Sequence, residues 1–132
     1  TYSAHPICAA AGVANLELTD QMKILDNANE VGPYFNAQLK DKIADLPHVG
    51  EVRSEGLLGA IELVEDKKAH KFFDPSKKFG PTLAGQLLSN GVIARAMPQG
   101  DILGLAPPLC INKSEIDILI SSIAKVIEEA KA

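Results

Sequence analysis

The chain has 132 residues, 46% of them hydrophobic, and its formal net charge is −4 at pH 7. This length suits one domain with a hydrophobic core, and the composition excludes a disordered protein. The acidic balance, without a long basic run, argues against nucleic acid as a partner. No apolar run is long enough to span a bilayer, so we expect no membrane-spanning helix.

The two cysteines, Cys8 and Cys110, both stand among apolar neighbours. This setting predicts buried thiols in a reducing compartment rather than a disulfide, and it favours a cytoplasmic protein. The chain opens on Thr1 without an initiator methionine or a secretory signal, which suggests a fragment or a separated domain.

Two helices are predicted in the first third of the chain. Residues 4–18 are mostly small and apolar, and Pro6 fits the first helical position. Small side chains on both faces of this helix predict close packing, in part against elements outside this chain. A second helix is predicted from a cap at Asp20 to a stop before Pro47, with a kink at Pro33, because its apolar phase continues through the proline.

A β-hairpin follows these helices. Its strands are predicted over residues 49–54 and 57–64, with the turn at Glu55 and Gly56. The second strand has two largely apolar faces, which predicts a sheet covered on more than one side. Gly59 lies within that strand and predicts a bulge or a close approach of the backbone.

A polar loop is predicted over residues 65–78. Phe72 and Phe73 are expected to anchor it to the domain. Its lysines are expected to face solvent, because none has the apolar setting that would lower the pKa of a catalytic lysine.

The last third of the chain predicts a helix, two strands and a final helix. The first helix covers residues 79–90, and its leucines at positions 83, 87 and 88 are expected to face the sheet. Short strands are predicted over residues 92–96 and 102–106, and a capping box from Asn112 to Glu115 starts the last helix. The order α-α-β-β-α-β-β-α predicts an α+β fold, with a small antiparallel sheet of about four strands covered by helices and a long helical segment at the N-terminus.

No local catalytic motif stands out, and His5, His48 and His70 show no metal-ligand spacing, so no metal site is predicted. His48 and His70 are expected at the surface, and His5 is expected to cap a helix. Thr1 and Tyr2 place hydroxyl groups before a helix N-terminus, where they can help bind a phosphate or simply cap the helix.

Arg95 is the charged residue of an otherwise apolar predicted strand. A buried charge needs a partner. Two roles are open for it: a fork for a substrate carboxylate, or an ion pair with Asp101 or Glu62, which is the simpler expectation. Arg53 faces the same choice and is expected to form a cross-strand pair.

Four separated segments together resemble the C-terminal part of class III aminotransferases, which are pyridoxal-phosphate enzymes of fold type I. The first three are TYSAHPICAAAGVANLEL, VGEVRSEGLLGAIELV and GVIARAMPQGDILGLAPPLCI, and the fourth is the helix start after them. The stretch RAMPQGD looks like the omega-transaminase branch, which moves amino groups between amines and keto acids such as pyruvate.

The resemblance implies roles for individual residues. Thr1 matches the threonine that binds the cofactor phosphate of the partner subunit, and Tyr2 belongs to the same cofactor-binding motif. Arg95 matches a mobile arginine that pairs with a substrate carboxylate and swings out for an amine without one. The lysine that forms the Schiff base with pyridoxal phosphate lies upstream in this family, so no catalytic residue is expected in this chain.

We therefore expect residues 1–132 to be the small C-terminal domain of a homodimeric amine–pyruvate transaminase, inactive when isolated. Within the family, an aminomutase or a decarboxylase shares the scaffold. A non-catalytic module that binds a small molecule is the alternative from another class.

Overall fold

The computed structural model describes residues 3–130, and in these residues four α-helices accompany a four-stranded antiparallel sheet. The elements are α1 (Pro6–Gln21), α2 (Ile24–Ile43), β1 (Val49–Glu55), β2 (Leu58–Leu63), α3 (Phe79–Ser89), β3 (Arg95–Ala96), β4 (Ile102–Leu105) and α4 (Lys113–Glu128). A short 3-10 helix, Pro75–Lys77, lies between β2 and α3. The α+β class and the order of helices and strands agree with the prediction.

The boundary between the first two helices differs from the prediction. Asp20 does not start the second helix, because α1 continues to Gln21 and α2 begins at Ile24. Lys23 adopts a left-handed backbone conformation with φ of +50°, which ends the helical conformation between α1 and α2. Pro33 lies inside α2, as predicted. The proline is tolerated because the apolar face on both sides of it is buried at Val31, Phe35, Leu39 and Ile43.

The last helix begins where the sequence predicts. The Asn112 side chain accepts a hydrogen bond from the Glu115 backbone N–H at 3.0 Å, and the Asn112 N–H donates to the Glu115 carboxylate at 2.9 Å. This reciprocal pair satisfies N–H groups that a helix start leaves free. The stripe of α4 is buried at Ile116, Ile120, Ile123 and Ile127. Tyr34 of α2 ties the two helices together by donating to Asp117 at 2.6 Å.

The strands are ordered β1-β2-β4-β3, all antiparallel. The hairpin turn falls at Gly56 and Leu57 rather than at Glu55 and Gly56, since Glu55 pairs with Leu58. Gly56 has a φ of +55°, a conformation that glycine adopts without strain. The predicted close approach at Gly59 is confirmed, because a Cβ there would stand 3.0 Å from Leu39 Cδ1.

The strand predicted over residues 92–96 is reduced to Arg95–Ala96. The Val92 N–H donates to the Leu87 carbonyl at the end of α3, so it is not available to a sheet ladder. The Val92 side chain is buried, whereas Ile93 is 88% exposed. The end of α3 therefore takes up the first residues of the predicted strand.

One face of the sheet, the inner face, packs on α2 and α3, α4 packs against these two helices, and the core lies between these elements. The other, the outer face, carries no helix among residues 3–130, which corrects the prediction of a sheet covered on both sides. No residue of α1 is buried. None of the described helices is long and apolar enough to cross a membrane.

Several side chains predicted as buried are exposed. Both cysteines are free and exposed, because Cys8 lies on the uncovered α1 and Cys110 lies in the turn after β4. Leu88 is exposed, since α3 directs its neighbour Leu87 into the core instead. Phe72 is likewise exposed, whereas Phe73 anchors the loop by stacking on Phe79 with ring centroids 4.1 Å apart.

Candidate functional site

A row of four residues crosses the outer face of the sheet. Arg53 of β1 stands opposite Ala60 of β2, Ala60 stands opposite Gly104 of β4, and Gly104 stands opposite Arg95 of β3. Because side chains alternate between faces along a strand, these four residues share one face. Two arginines thus flank two small residues.

Arg53 is paired with two neighbouring carboxylates. Its guanidinium donates to Glu51 on its own strand and to Glu62 on β2, the latter at 3.3 Å. The hydrogen bond that Arg53 donates to Glu51, and to a smaller extent the one to Glu62, raises the pKa of Arg53 further above its ordinary range. Glu62 also contacts His70 Nε2 at 3.1 Å. The predicted cross-strand pair of Arg53 is therefore confirmed.

Arg95 has a different environment. Asp101, one predicted partner, instead accepts the Gly80 N–H at 2.7 Å and so caps α3, whose first residues lack a side-chain cap of their own. Glu62, the other predicted partner, is occupied by Arg53 and His70. The predicted ion pair is therefore wrong. Within residues 3–130, the exposed Arg95 side chain makes neither an ion pair nor a hydrogen bond.

A groove of about 510 Å³ lies beside this row. It is lined by Arg53, Gly59, Ala60, Met97, Pro98, Gln99, Ile102 and Gly104. Most of these residues present carbon to the groove, and the charge of Arg53 is balanced by its two carboxylates. The hints of the groove in the sequence are Gly59 and Gly104 within strands, because interior glycines often mark a close approach.

The segment after β4 is held in place by α2. The Asn27 side-chain amide donates to the carbonyl groups of Leu109 at 2.8 Å and Ile111 at 3.0 Å. These bonds satisfy carbonyl groups in a segment where Pro107 and Pro108 can donate none. The end of β4, and with it the position of Gly104, is thereby fixed relative to the helices.

The described residues alone do not form a pocket for pyridoxal phosphate. Every lysine between residues 3 and 130 is exposed, and none is held among apolar groups that would favour its neutral amine. Lys71 and Lys77 pair with Glu65 at 2.6 and 2.8 Å, and Lys67 donates to the Ala44 carbonyl. The predicted cofactor residues Thr1 and Tyr2 lie outside the described residues.

The three histidines have separate partners. His5 is the N-cap residue of α1, but its side chain makes no capping bond. His48 is half-buried rather than at the surface, because its ring packs 5.5 Å from those of Phe73 and Phe79. His70 is exposed beside Glu62. Residues 3–130 contain no cluster of three or more side chains suited to hold a metal ion.

Known proteins resemble this chain along almost its whole length. The family model of class-III aminotransferases matches residues 1–127. An uncharacterized aminotransferase of Sinorhizobium fredii, y4uB, is 51% identical over 127 residues, which are 96% of this chain and 27% of that protein. The diaminobutyrate–2-oxoglutarate transaminase of Halomonas elongata is 42% identical over 129 residues, 98% of this chain and 28% of that protein.

A solved structure from the directed evolution of transaminases by ancestral reconstruction has the same fold, with a TM-score of 0.93 and 46% identity. The similarity covers 97% of this chain and 28% of that one. The chain therefore spans little more than a quarter of the length of these relatives. With a family match over residues 1–127, the chain belongs to the class-III aminotransferase family.

Proposed function

We propose that these residues are the small C-terminal domain of a homodimeric, cytoplasmic transaminase that moves an amino group between an amine and a monocarboxylic keto acid such as pyruvate. The short span relative to family members supports the assignment to one domain. The uncovered α1, with Ile7, Val13 and Leu16 exposed, supports a large neighbouring domain, because such apolar surface is usually covered. Two free cysteines favour a reducing compartment.

The unpaired Arg95 is the observation that carries this proposal. A guanidinium group presents a planar fork of N–H donors that matches a carboxylate. Because neither Asp101 nor Glu62 holds it, the side chain can bind a substrate carboxylate without first breaking an ion pair. Its exposure also lets it turn away when the substrate is an amine without a carboxylate.

A monocarboxylate fits the outer face better than a dicarboxylate. Within the described part of this face, Arg95 offers one free cation for one carboxylate, whereas Arg53 is already paired with Glu51 and Glu62. The Halomonas relative, named for 2-oxoglutarate, makes that dicarboxylate the second candidate acceptor.

In the complete protein, pyridoxal phosphate would supply the electron sink for the transfer of the amino group. We propose that Thr1 and Tyr2 bind its phosphate in the partner subunit. We also propose that the lysine for the Schiff base belongs to another part of the protein, since every described lysine is exposed. The role left for this domain is to bind and orient the substrate through Arg95.

The test compares two half-reactions of the complete protein. Arg95→Ala should lower kcat/KM for pyruvate by about 10- to 100-fold, because a charge-assisted hydrogen bond to the carboxylate is lost. The same change should lower kcat/KM for an uncharged arylalkyl amine by less than about 3-fold. Arg95→Lys, which keeps the charge but loses the fork, is the matched control and should lie between. Equal losses of kcat/KM in both half-reactions would show that Arg95 does not bind the substrate carboxylate.

Two further assays test the rest of the proposal. The 132-residue chain with added pyridoxal phosphate, an arylalkyl amine and pyruvate should form no alanine, and turnover would contradict its role as a domain without the Schiff-base lysine. The complete protein should prefer pyruvate to 2-oxoglutarate as acceptor. With an α-amino acid as the only substrate, release of carbon dioxide or formation of an isomerised amino acid, without a keto product, would instead indicate a decarboxylase or an aminomutase.

A further inference from the structure

We infer that Gly104 and Met97 together determine which amines the site accepts, by setting the room for the uncharged apolar substituent of the amine. This inference rests on the proposed transaminase function and concerns the part of the site next to Arg95.

Gly104 occupies the centre of the site. It stands between Ala60 and Arg95 in the row across the outer face, and it also lines the groove. Its backbone does not adopt a positive φ, so the strand conformation itself does not require glycine. What the glycine provides is space, because a side chain at this position would project from the outer face towards the groove.

Met97 fills part of that space. A Cβ at Gly104 would stand 3.1 Å from Met97 Sδ and 3.8 Å from its Cγ. The Met97 N–H donates to the Ile102 carbonyl at 2.8 Å, which fixes the backbone two residues after Arg95 and places both side chains on the same face. The thioether chain is flexible, so Met97 covers Gly104 in a way that a substrate group can displace.

The groove beyond Gly104 suits an uncharged apolar group. Ala60, Pro98 and Ile102 contribute carbon surface, and Arg53 is balanced by two carboxylates. Its volume of about 510 Å³ lies within the range of small-molecule sites. Arg95 would hold the carboxylate of a keto acid on one side of Gly104, and the groove would hold the apolar substituent of an amine on the other.

The experiment measures the first half-reaction of the complete protein, in which bound pyridoxal phosphate would accept the amino group, with two donors, alanine and 1-phenylethylamine. Each KM below is the apparent constant of that half-reaction. Gly104→Val should raise KM for 1-phenylethylamine at least about 10-fold, because the branched side chain and the displaced Met97 fill the groove. KM for alanine, which carries only a methyl group beside its carboxylate, should change less than about 3-fold. Gly104→Ala adds a single carbon and should shift KM for the aryl amine in the same direction by a smaller factor. It keeps the test decisive if the valine variant folds poorly.

A second substitution provides the rescue. Met97→Ala removes the flexible side chain that the valine displaces, so Gly104→Val combined with Met97→Ala should bring KM for 1-phenylethylamine back to within about 3-fold of the wild type. A merely structural role of Gly104 would not produce this recovery. Gly85→Val is the matched control, because a Cβ at Gly85 on α3 meets no atom within 4 Å, and it should leave both KM values unchanged.

The outcomes separate the inference from the proposed function. A wild-type protein that transaminates neither donor would refute both. An active wild type in which Gly104→Val changes both KM values equally, or in which Met97→Ala gives no rescue, would refute the role of this pair and leave the transaminase assignment standing.

Discussion

The two faces of the sheet are built from the same strands but differ in burial and in residue type. On the inner face, Ile61, Leu63 and Leu103 are fully buried in the core under the helices. On the outer face, the intervening positions carry Ala60, Glu62, Ile102 and Gly104, and of the two arginines there only Arg53 is paired within residues 3–130. Burial therefore restricts the inner face to apolar side chains, whereas the exposed outer face can carry groups that bind a ligand.

The largest contrast is expected between neighbouring residues of β4. Leu103→Ala should destabilise the chain by about 2–5 kcal/mol, because Leu103 is 0% exposed and its loss leaves a cavity. Ile102→Ala on the outer face should cost less than about 1 kcal/mol, since solvent can fill the space. Urea unfolding of the two variants measures both values. Equal losses would show that the outer face is also buried.

A second contrast sets two glycines against each other. Gly59→Ala should cost about 1–3 kcal/mol, because its Cβ would meet Leu39 Cδ1 at 3.0 Å and Phe35 Cζ at 3.2 Å in the closed core. Gly104→Ala should stay within about 0.5 kcal/mol of the wild type, because the flexible Met97 can move into solvent. Thermal unfolding distinguishes them, and a larger loss for Gly104→Ala would reverse the assignment of the two faces.

The ion pairs of the outer face should contribute little to stability. Glu62→Gln removes a carboxylate from Arg53 and His70, but Glu51 still neutralises the arginine. We expect a loss below about 1 kcal/mol that shrinks further in high salt. Urea unfolding at two salt concentrations tests this, and a large loss that salt does not change would mean that the network is structurally essential.

The smallest effect is expected just after β2, where Glu65 pairs with the loop residues Lys71 and Lys77. Hydrogen bonds from Lys71 and then Lys77 lower the pKa of Glu65 from 4.5 to about 2. A lowered carboxylate pKa stabilises the fold above pH 4.5, and this contribution is lost as pH falls towards 2. The difference in Tm between wild type and Glu65→Gln should therefore be present at pH 6 and vanish near pH 2. A difference in Tm that stays the same at all pH values would show that the lowered pKa of Glu65 does not contribute to stability.

Patterns that depend on near neighbours predicted most of the fold. The apolar spacing through Pro33 identified α2, the Asn112 and Glu115 pair identified the start of α4, and strand alternation identified the hairpin. Each is a local property, because side chains three or four apart on a helix, or two apart on a strand, share a face. The predictions failed at the ends of elements, where two local patterns compete. The Val92 N–H bonds back to Leu87 in the cap that Gly91 forms after α3, and Asp20 continues α1 instead of starting α2.

The candidate site, like the fold, was predicted only in part from the sequence. Sequence reasoning selected Arg95 and the cross-strand pair of Arg53, but it could not decide between an ion pair and a free guanidinium for Arg95. That choice depends on Asp101, which the fold directs to the Gly80 N–H of α3. Met97 and the groove were not predicted, because they arise from residues of three strands and a loop that meet only in the folded sheet.

The amino-acid sequence by itself determined the helices, the hairpin, the apolar face of each and the residue types available for binding, because these follow from periodicity and from the chemistry of single side chains. Only the tertiary structure decided which charges pair, which face stays open and what lies over Gly104. Those features depend on the register between strands, and a register joins residues that are distant in the chain.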